Sequence, residues 1–478
     1  MRGGRPYDVI LLGAGLSGLL AAAVLARRGR RVLVLKEADG HEDASPHSSG
    51  RAGASDDGPV LLPGFEREGL YDRLFMELGL SLSSLKQEGK LIHRSEIPFQ
   101  MILPRHRLNF YQNRAELLDE LQREFPDSAS GIRSLFQEAD LADPLLRSWY
   151  LSEQKTATLL KDRILLLRDN LTLRMKVGAL QKNRARHFLE RFHLDPEFQR
   201  GLESLIILST GIRMEEASEF DLLLVLGFLG RDMGGLPGGQ AGMADLLIGV
   251  IQKFQGEVVP SLRIKELMFH QKTVRQIRTQ METLNVEGAL ILNLDASRFT
   301  SENGKRGIVR LRFEVPEKFI PRSMKDYLMV SRSENGLEMA DHSLFLALGG
   351  TGRDGNRRIL EAALYRENPS TLEQEQIDRL RDSVMDQLIE LMPFSKDSIE
   401  FLGHRISPSE SDGRLSSICG DLTLRGRRQG TLFPGYFTTP YKNLYFLPDG
   451  GIRPMVQIGE VRSASELANR ILQEGLGR

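Results

Sequence analysis

The stretch that decides the fold lies near the amino end, where residues 8–19 are Asp8-Val-Ile-Leu-Leu-Gly-Ala-Gly-Leu-Ser-Gly-Leu19. The apolar run before the first glycine predicts a short buried parallel strand, and the alanine- and leucine-rich residues 19–28 predict a helix. A second apolar run, Arg31-Val-Leu-Val-Leu35, follows Gly29 and predicts the next strand. Three glycines with the spacing of a dinucleotide-binding turn therefore separate strand and helix: Gly13, Gly15 and Gly18.

Each glycine of this turn has a physical task. The first permits a tight turn, the second lets the backbone approach a pyrophosphate, and the third lets the helix pack closely on the strand. The amino end of the helix adds free N–H groups and the positive end of its dipole, which favour phosphates. A glycine turn without a ligand is the alternative. We expect a cofactor-binding turn made of Gly13, Ala14, Gly15, Leu16, Ser17 and Gly18.

An acidic residue is expected at the end of the second strand, where it would hold ribose hydroxyls. Lys36 stands at that position and Glu37 follows it. Either the end of the strand is shifted by one residue and Glu37 holds the ribose, or Lys36 favours an additional phosphate, as basic residues do for NADP.

Composition excludes several classes of protein. The 64 Lys and Arg residues balance the 64 Asp and Glu residues, so the chain as a whole has no electrostatic reason to bind nucleic acid. The single cysteine, Cys419, permits no intramolecular disulfide, which favours a cytoplasmic location. His41 and His47 lie in a Ser-, Asp- and Gly-rich segment without cysteine partners, so we expect loop histidines and no metal site.

Residues 145–191 carry an excess of positive charge. They contain 11 Lys and Arg against 4 Asp and Glu, a surplus of 11 − 4 = 7. With Trp149, Tyr150 and the run Ile164-Leu-Leu-Leu167 as an apolar face, the segment would suit an anionic membrane surface. An ordinary helical cap with solvated side chains is the alternative.

The rest of the chain alternates between helical and strand patterns. Residues 65–220 are mostly helical in pattern, and later strands are expected at residues 256–259, 265–269, 273–278, 289–294, 308–315, 327–331 and 443–447. Helices are expected at residues 243–254, 371–392 and 455–472. This order predicts an α/β protein in which a doubly wound, Rossmann-like domain is assembled from separated pieces of chain.

Three segments together resemble the FAD-dependent oxidoreductases of the phytoene desaturase, protoporphyrinogen oxidase and monoamine oxidase group. They are residues 8–19, residues 236–245 with Gly256-Glu-Val258, and residues 439–449, which are Thr439-Pro-Tyr-Lys-Asn-Leu-Tyr-Phe-Leu-Pro-Asp449. The last segment is most similar to the desaturase branch. The resemblance implies an FAD-binding domain of residues 1–80, 220–300 and 435–478. It also implies an inserted α+β substrate domain of residues 81–219 and 301–434, with its helical part at 115–219.

The resemblance also implies roles for individual residues. Gly13, Gly15, Ser17 and Gly18 would cradle the pyrophosphate, Glu37 or Lys36 would face the adenosine ribose, and Val258 would pair with adenine through its backbone. Asp449, with Gly450 beside it, would accept a hydrogen bond from a ribityl hydroxyl. The amino end of the last helix would direct its dipole at the pyrimidine edge of the flavin, through Met455, Val456 and Gln457.

Three positions depart from the group's pattern. Lys36 replaces the acidic residue, and the Gly-Gly-Arg after the second strand is either missing or displaced to Ser49-Gly50-Arg51. The final turn is Pro448-Asp-Gly-Gly-Ile-Arg-Pro-Met455. All three concern the cofactor rather than the core.

The function implied is hydride transfer between flavin N5 and an apolar, polyene-like small molecule by a desaturase, dehydrogenase or isomerase. The alternatives are an amine oxidase-type flavoenzyme and a degenerate, non-catalytic protein that binds FAD or NADP. No catalytic base is assigned. His404 and Tyr436 lie in segments that would approach the flavin, with packing or surface roles as the alternative.

Overall fold

The computed structural model describes the chain in a series of ranges, which together form four sheets and the helices packed on them. These ranges are 7–36, 62–66, 68–88, 96–151, 171–173, 175–210, 212–229, 233–234, 239–259, 264–295, 306–331, 343–351, 355–367, 371–407, 437–449 and 458–474.

The strands are, in chain order, β1 (Val9–Leu12), β2 (Val32–Leu35), β3 (Leu62–Pro63), β4 (Phe99–Ile102), β5 (Arg107–Phe110), β6 (Met233–Gly234), β7 (Glu257–Val259), β8 (Ile264–His270), β9 (Thr273–Thr279), β10 (Thr283–Asn285), β11 (Ala289–Asp295), β12 (Arg306–Pro316), β13 (Tyr327–Ser331), β14 (Ser343–Thr351), β15 (Arg357–Glu367), β16 (Glu400–Ser407), β17 (Phe437–Thr438) and β18 (Leu444–Asp449).

The α-helices are α1 (Leu16–Arg27), α2 (Leu70–Leu78), α3 (Leu82–Gln87), α4 (Arg114–Glu124), α5 (Ala129–Tyr150), α6 (Ala185–Leu189), α7 (Pro196–Thr210), α8 (Glu219–Phe228), α9 (Gly239–Lys253), α10 (Gln374–Leu391) and α11 (Ile458–Gln473). Residues 175–182 are also helical. Within the described ranges, no helix is long and apolar enough to cross a bilayer.

A six-stranded sheet carries the glycine turn. Its strand order is β17-β18-β11-β1-β2-β7, and all neighbours are parallel except the antiparallel edge strand β17. Helix α1 packs between α9 and α11, which is why every residue from Ser17 to Ala26 is buried and why small alanines predominate there. The six strands come from residues 1–80, 220–300 and 435–478, as a doubly wound domain built from separated pieces requires. The α/β fold class is confirmed, and the exact domain boundaries stay a prediction.

A seven-stranded sheet forms the second layer, in the order β16-β12-β15-β14-β13-β4-β5. Its pairs are antiparallel except β4 with β13. One face packs on α10: alternate sheet residues such as Leu311 and Leu346 lie in one core cluster with Leu388 of the helix. Its other face joins the large core that also contains α1, α5, α7 and α8. A three-stranded sheet, β10-β9-β8, covers the opposite side of the six-stranded sheet.

The structure corrects part of the expectation for residues 65–220. Strands β4 and β5 form a hairpin there, where the pattern had been interpreted as mostly helical. They are only four residues long, and β4 is stabilised by parallel pairing with β13, more than 200 residues away in the sequence. Helices α2 and α4 do form in this region: α2 ends at Gly79, which has the left-handed conformation, and α4 ends at Glu124, shortly before Pro126.

Candidate cofactor-binding site

The glycine turn connects β1 to α1 at the carboxyl end of the parallel sheet. Gly13 has a φ of +96°, a conformation that favours glycine, and its N–H donates to Leu35 O at 3.0 Å. Gly15 is the N-cap of α1 and makes no side-chain capping bond. The first N–H groups of the helix therefore have no acceptor within the helix and are available to an anion.

Asn293 of β11 fixes this turn and was missed by the sequence analysis. A Cβ added to Gly18 would lie 2.6 Å from Asn293 Cγ and 2.9 Å from its Cβ. A Cβ added to Gly13 would be 3.3 Å from the carbonyl carbon of the same residue and closer still to its oxygen. Two of the three glycines are thus required because α1 and β1 approach one strand end closely.

Hydrogen bonds hold Asn293 in place. Its Nδ2 donates to Ser17 Oγ at 2.9 Å and to Leu447 O of β18 at 3.0 Å. The side chain is 5% exposed, and its Oδ1 is buried without a hydrogen-bond partner among the described residues. One amide therefore links three elements that converge on the turn: α1, β11 and β18. The signal available in the sequence was its position at the end of a predicted strand, since carboxyl ends of parallel strands share one edge.

The end of β18 lies on the same edge. Asp449 is paired in register with Asp295 of β11, and Leu447 with Asn293. Because β11 also pairs in parallel with β1, the backbone of Asp449 is brought to the side of the sheet on which Gly13 begins the turn. The predicted ribityl contact through its side chain stays a prediction.

Lys36 and Val258 lie at the other end of the site. The N–H of Lys36 donates to Val259 O at 3.0 Å, and its side chain is exposed. Alternate residues of a strand direct their backbone groups to opposite sides, so the N–H and C=O of Val258 point away from β2. Since β7 is the edge strand, these groups are directed at the open edge, as backbone recognition of adenine requires. The adenine contact itself is untested.

Several predicted site residues lie outside the described ranges: Glu37, Arg51, Gly450, Met455, Val456 and Gln457. His41, His47, Cys419, Tyr436 and the run 164–167 also lie outside them. Helix α11 begins at Ile458, directly after the residues predicted to face the flavin. His404 is exposed on the edge strand β16. Among the described residues, no group of His, Cys, Asp and Glu is arranged to hold a metal ion.

Trp149 and Tyr150 do not form an apolar face for a membrane, so that part of the expectation is wrong. Trp149 is 4% exposed and Tyr150 5% exposed. The Arg462 guanidinium of α11 lies 3.6 Å from the centre of the Trp149 ring and donates a hydrogen bond to Trp149 O. Phe220 packs edge-on against the same ring at 4.9 Å. The carboxyl end of α5 is therefore held against α11, the helix that follows the residues predicted to face the flavin.

The described residues fit the phosphate part of a dinucleotide. The turn is held close to Asn293, the first turn of α1 offers N–H donors, and side chains at positions 13 and 18 would not fit. Gly13, Ala14, Gly15 and Leu16 are half-buried, whereas Ser17 and Gly18 are buried.

Comparison with known families agrees with this geometry. Residues 8–68 match the family described as FAD binding domain. Among curated proteins, none matches the chain.

Solved structures share the fold at low sequence identity. An oxidoreductase from Methanosarcina mazei is 14% identical, with a TM-score of 0.54, over 97% of this chain and 99% of its own. Cyclohexylamine oxidase from Brevibacterium oxydans is also 14% identical, with a TM-score of 0.54, over 98% and 99%. A Rab GDI from Plasmodium falciparum is 12% identical, with a TM-score of 0.51, over 98% and 97%.

The chain therefore has the fold that these solved structures share, and the prediction of FAD as the cofactor is confirmed by the match of residues 8–68 to the FAD binding domain. The same fold serves proteins of different names, so it does not assign a substrate. The desaturase branch of the resemblance stays a prediction.

Proposed function

We propose that this protein is an FAD-dependent oxidoreductase that exchanges hydride between the flavin and an apolar, polyene-like substrate. The observation that carries the proposal is the glycine turn held against Asn293 at the carboxyl ends of β1, β11 and β18, within the segment that matches the FAD binding domain. When bound, FAD supplies the redox chemistry, because its ring accepts the hydride.

The chain's own residues bind and orient. The N–H groups at the start of α1 would hold the pyrophosphate, and Asn293 keeps Ser17 and β18 at a fixed distance from it. The backbone of Val258 would hold the adenine.

The apolar, polyene-like substrate is proposed on the resemblance of residues 439–449 to the desaturase branch.

We also propose that residues 145–191 contact a membrane peripherally, through a face different from the one expected. Leu171 is 60% exposed and Met175 69% exposed, one helical turn apart, and Lys176 beside them is exposed. Apolar side chains flanked by lysine suit the interface of an anionic bilayer. Met175→Glu should reduce sedimentation with phosphatidylserine vesicles at low salt. Met281→Glu should not, although Met281, in the turn between β9 and β10, is even more exposed, at 84%. Equal sedimentation of the two variants would contradict this contact.

Two experiments test the enzymatic proposal. The holoprotein is titrated anaerobically with long-chain polyenes, and bleaching of the flavin band is expected because the substrate reduces the cofactor. Amines are then tested with a peroxide assay. Bleaching by amines with peroxide release, and none by polyenes, would replace the proposal with an amine oxidase, the activity named for one structural neighbour.

A further inference from the structure

The carboxyl end of α5 and the amino end of α11 meet at one arginine. Arg462 lies in the second turn of α11, and its side chain is 12% exposed. Its guanidinium contacts the Trp149 ring and donates a hydrogen bond to Trp149 O, in the last turn of α5. A cation is favourable beside the last carbonyl groups of a helix and unfavourable near the first N–H groups. Arg462 is therefore placed favourably for α5 and unfavourably for its own helix, as expected of a residue that links the two.

The charge of Arg462 is balanced within α11. Glu466, one turn further along, accepts a hydrogen bond from its Nε at 2.8 Å. Glu460, in the first turn, is buried and lies at the helix end that favours a carboxylate. Because the guanidinium is already paired, its removal would change the contact with α5 more than the balance of charge at the amino end of α11.

The amino end of α11 lies beside the glycine turn. Tyr445, near the start of β18, donates a hydrogen bond to Glu474, which directly follows α11, so this helix runs antiparallel to β18. Its amino end is therefore at the carboxyl edge of the sheet, where Gly13 begins the turn. Helix α11 also packs on α1, and the axes of packed helices are about 8–10 Å apart. The first N–H groups of α11, which have no acceptor within the helix, thus lie next to those of α1.

The two halves of FAD would extend from the turn in opposite directions. Strands β2 and β7, with the predicted adenine contact at Val258, lie on one side of β1, and strands β11 and β18 lie on the other. The flavin half would therefore extend towards β18 and the amino end of α11.

We propose that Arg462 and Trp149 are positioning residues that hold the amino end of α11 in place for the flavin half of the cofactor. The inference rests on the proposed function because it takes FAD as the ligand of the glycine turn. It adds that α5, through this contact, fixes the flavin half and has no effect on the adenine half.

A comparison of FAD with ADP separates the two halves, because both molecules contain adenosine diphosphate. Their dissociation constants are measured by calorimetry on the apoprotein of wild type, Arg462→Met, Arg462→Lys and Arg470→Met, and the melting temperature is recorded for each. Arg470 is the matched control: it lies on the same helix, two turns further from the amino end, 5.9 Å from the centre of the Tyr445 ring, and it is paired with Glu474. Arg462→Lys keeps the charge and removes the planar guanidinium.

We expect Arg462→Met to weaken FAD binding about 3- to 30-fold and ADP binding less than about twofold, because only the flavin half depends on the amino end of α11. Arg470→Met should change neither constant, even if its melting temperature falls. Arg462→Lys should stay closer to Arg462→Met than to wild type. Unchanged FAD binding in Arg462→Met, equal weakening of FAD and ADP, as a merely structural role would give, or full recovery in Arg462→Lys would overturn the inference.

A measurement on the wild-type protein covers the case in which the variants do not fold. Trp149 is the only tryptophan of the chain, and the flavin ring absorbs tryptophan emission whereas ADP does not. FAD should therefore quench the emission of Trp149, and ADP should leave it unchanged. Equal emission with the two ligands would overturn the inference. Failure of the proposed function is distinguishable, because the wild-type protein would then bind neither FAD nor ADP, and both proposals would fall.

Discussion

Replacing Gly18 by alanine tests the contact on which the cofactor site depends. The added Cβ would lie 2.6 Å from Asn293 Cγ, whereas ordinary contact begins at 3.4 Å, so α1 and β11 must separate by about 3.4 − 2.6 = 0.8 Å. Asn293 is not free to rotate away because Nδ2 is bonded to both Ser17 and Leu447.

The cost follows from overpacking. Inserting a methyl group into such a contact costs about 1–3 kcal/mol, and the better helix propensity of alanine returns up to about 1 kcal/mol. A shift of this size would also misplace the N–H donors of the turn, and losing one charge-assisted bond of about 1.5–3 kcal/mol weakens binding about 10- to 100-fold. We therefore expect Gly18→Ala to unfold at lower temperature as apoprotein and to bind FAD at least about tenfold more weakly.

The matched control is Gly249→Ala in α9, where a Cβ meets nothing within 4 Å. This variant should be as stable as wild type or more so, because alanine favours the helix. FAD affinity is measured by quenching of flavin fluorescence and stability by thermal unfolding of the apoprotein. Identical behaviour of Gly18→Ala and Gly249→Ala would refute the reasoning.

A double-mutant cycle isolates the contact. In an Asn293→Ala background Cγ and Oδ1 are removed, and the nearest remaining atom is the Cβ at 2.9 Å. In this background, Gly18→Ala should lower the free energy of unfolding by less than half as much as it does in wild type. The coupling energy between the two positions is then about 1 kcal/mol or more. Simple additivity of the two single variants would contradict a direct contact.

Three further variants test other parts of the account. Lys36→Glu changes an exposed side chain, so it should change the free energy of unfolding by less than about 0.5 kcal/mol and leave FAD affinity unchanged. If 2′,5′-ADP competes with FAD more weakly in the variant than in wild type, Lys36 would instead favour NADP. Arg462→Ala should cost about 1–3 kcal/mol and shift Trp149 emission to longer wavelength, since a cation–π contact and a hydrogen bond to the backbone are lost; an unchanged spectrum would contradict this. Burial, reinforced by Glu215, raises the pKa of Glu203, so the folded state binds this proton more tightly and stability falls as pH rises through that pKa. Glu203→Gln should therefore stabilise the protein at pH 7 and progressively less towards pH 4 in urea unfolding, and an equal gain at both pH values would count against this assignment.

Local patterns in the sequence were sufficient to predict the nucleotide-binding unit. The run of residues 9–12 stops at Gly13, and the alanine-rich helix and the second strand follow within about 20 residues, so neighbours in sequence are neighbours in space. Helix α9, strand β18 and helix α11 were predicted within a few residues for the same reason.

Long-range pairing explains what the sequence did not predict. Strand β4 is stabilised by pairing with β13, and no local pattern in residues 99–102 predicts that pairing. Asn293 is an ordinary polar residue at a strand end until β1 and β18 are paired on either side of it. Trp149 was predicted to lie on a membrane face because the residues around it are basic. Its actual partner, Arg462, lies more than 300 residues later in the chain, and no local pattern could indicate that contact.

The most direct test of the central claim is the visible absorption spectrum of the purified protein, recorded before and after incubation with FAD and desalting. We predict a resolved flavin spectrum with about one FAD per chain, because the glycine turn held by Asn293 offers N–H donors to a pyrophosphate and β7 directs backbone groups to the open edge of the same sheet. A protein that stays colourless after reconstitution, although folded by thermal unfolding, would contradict the claim that this site binds FAD.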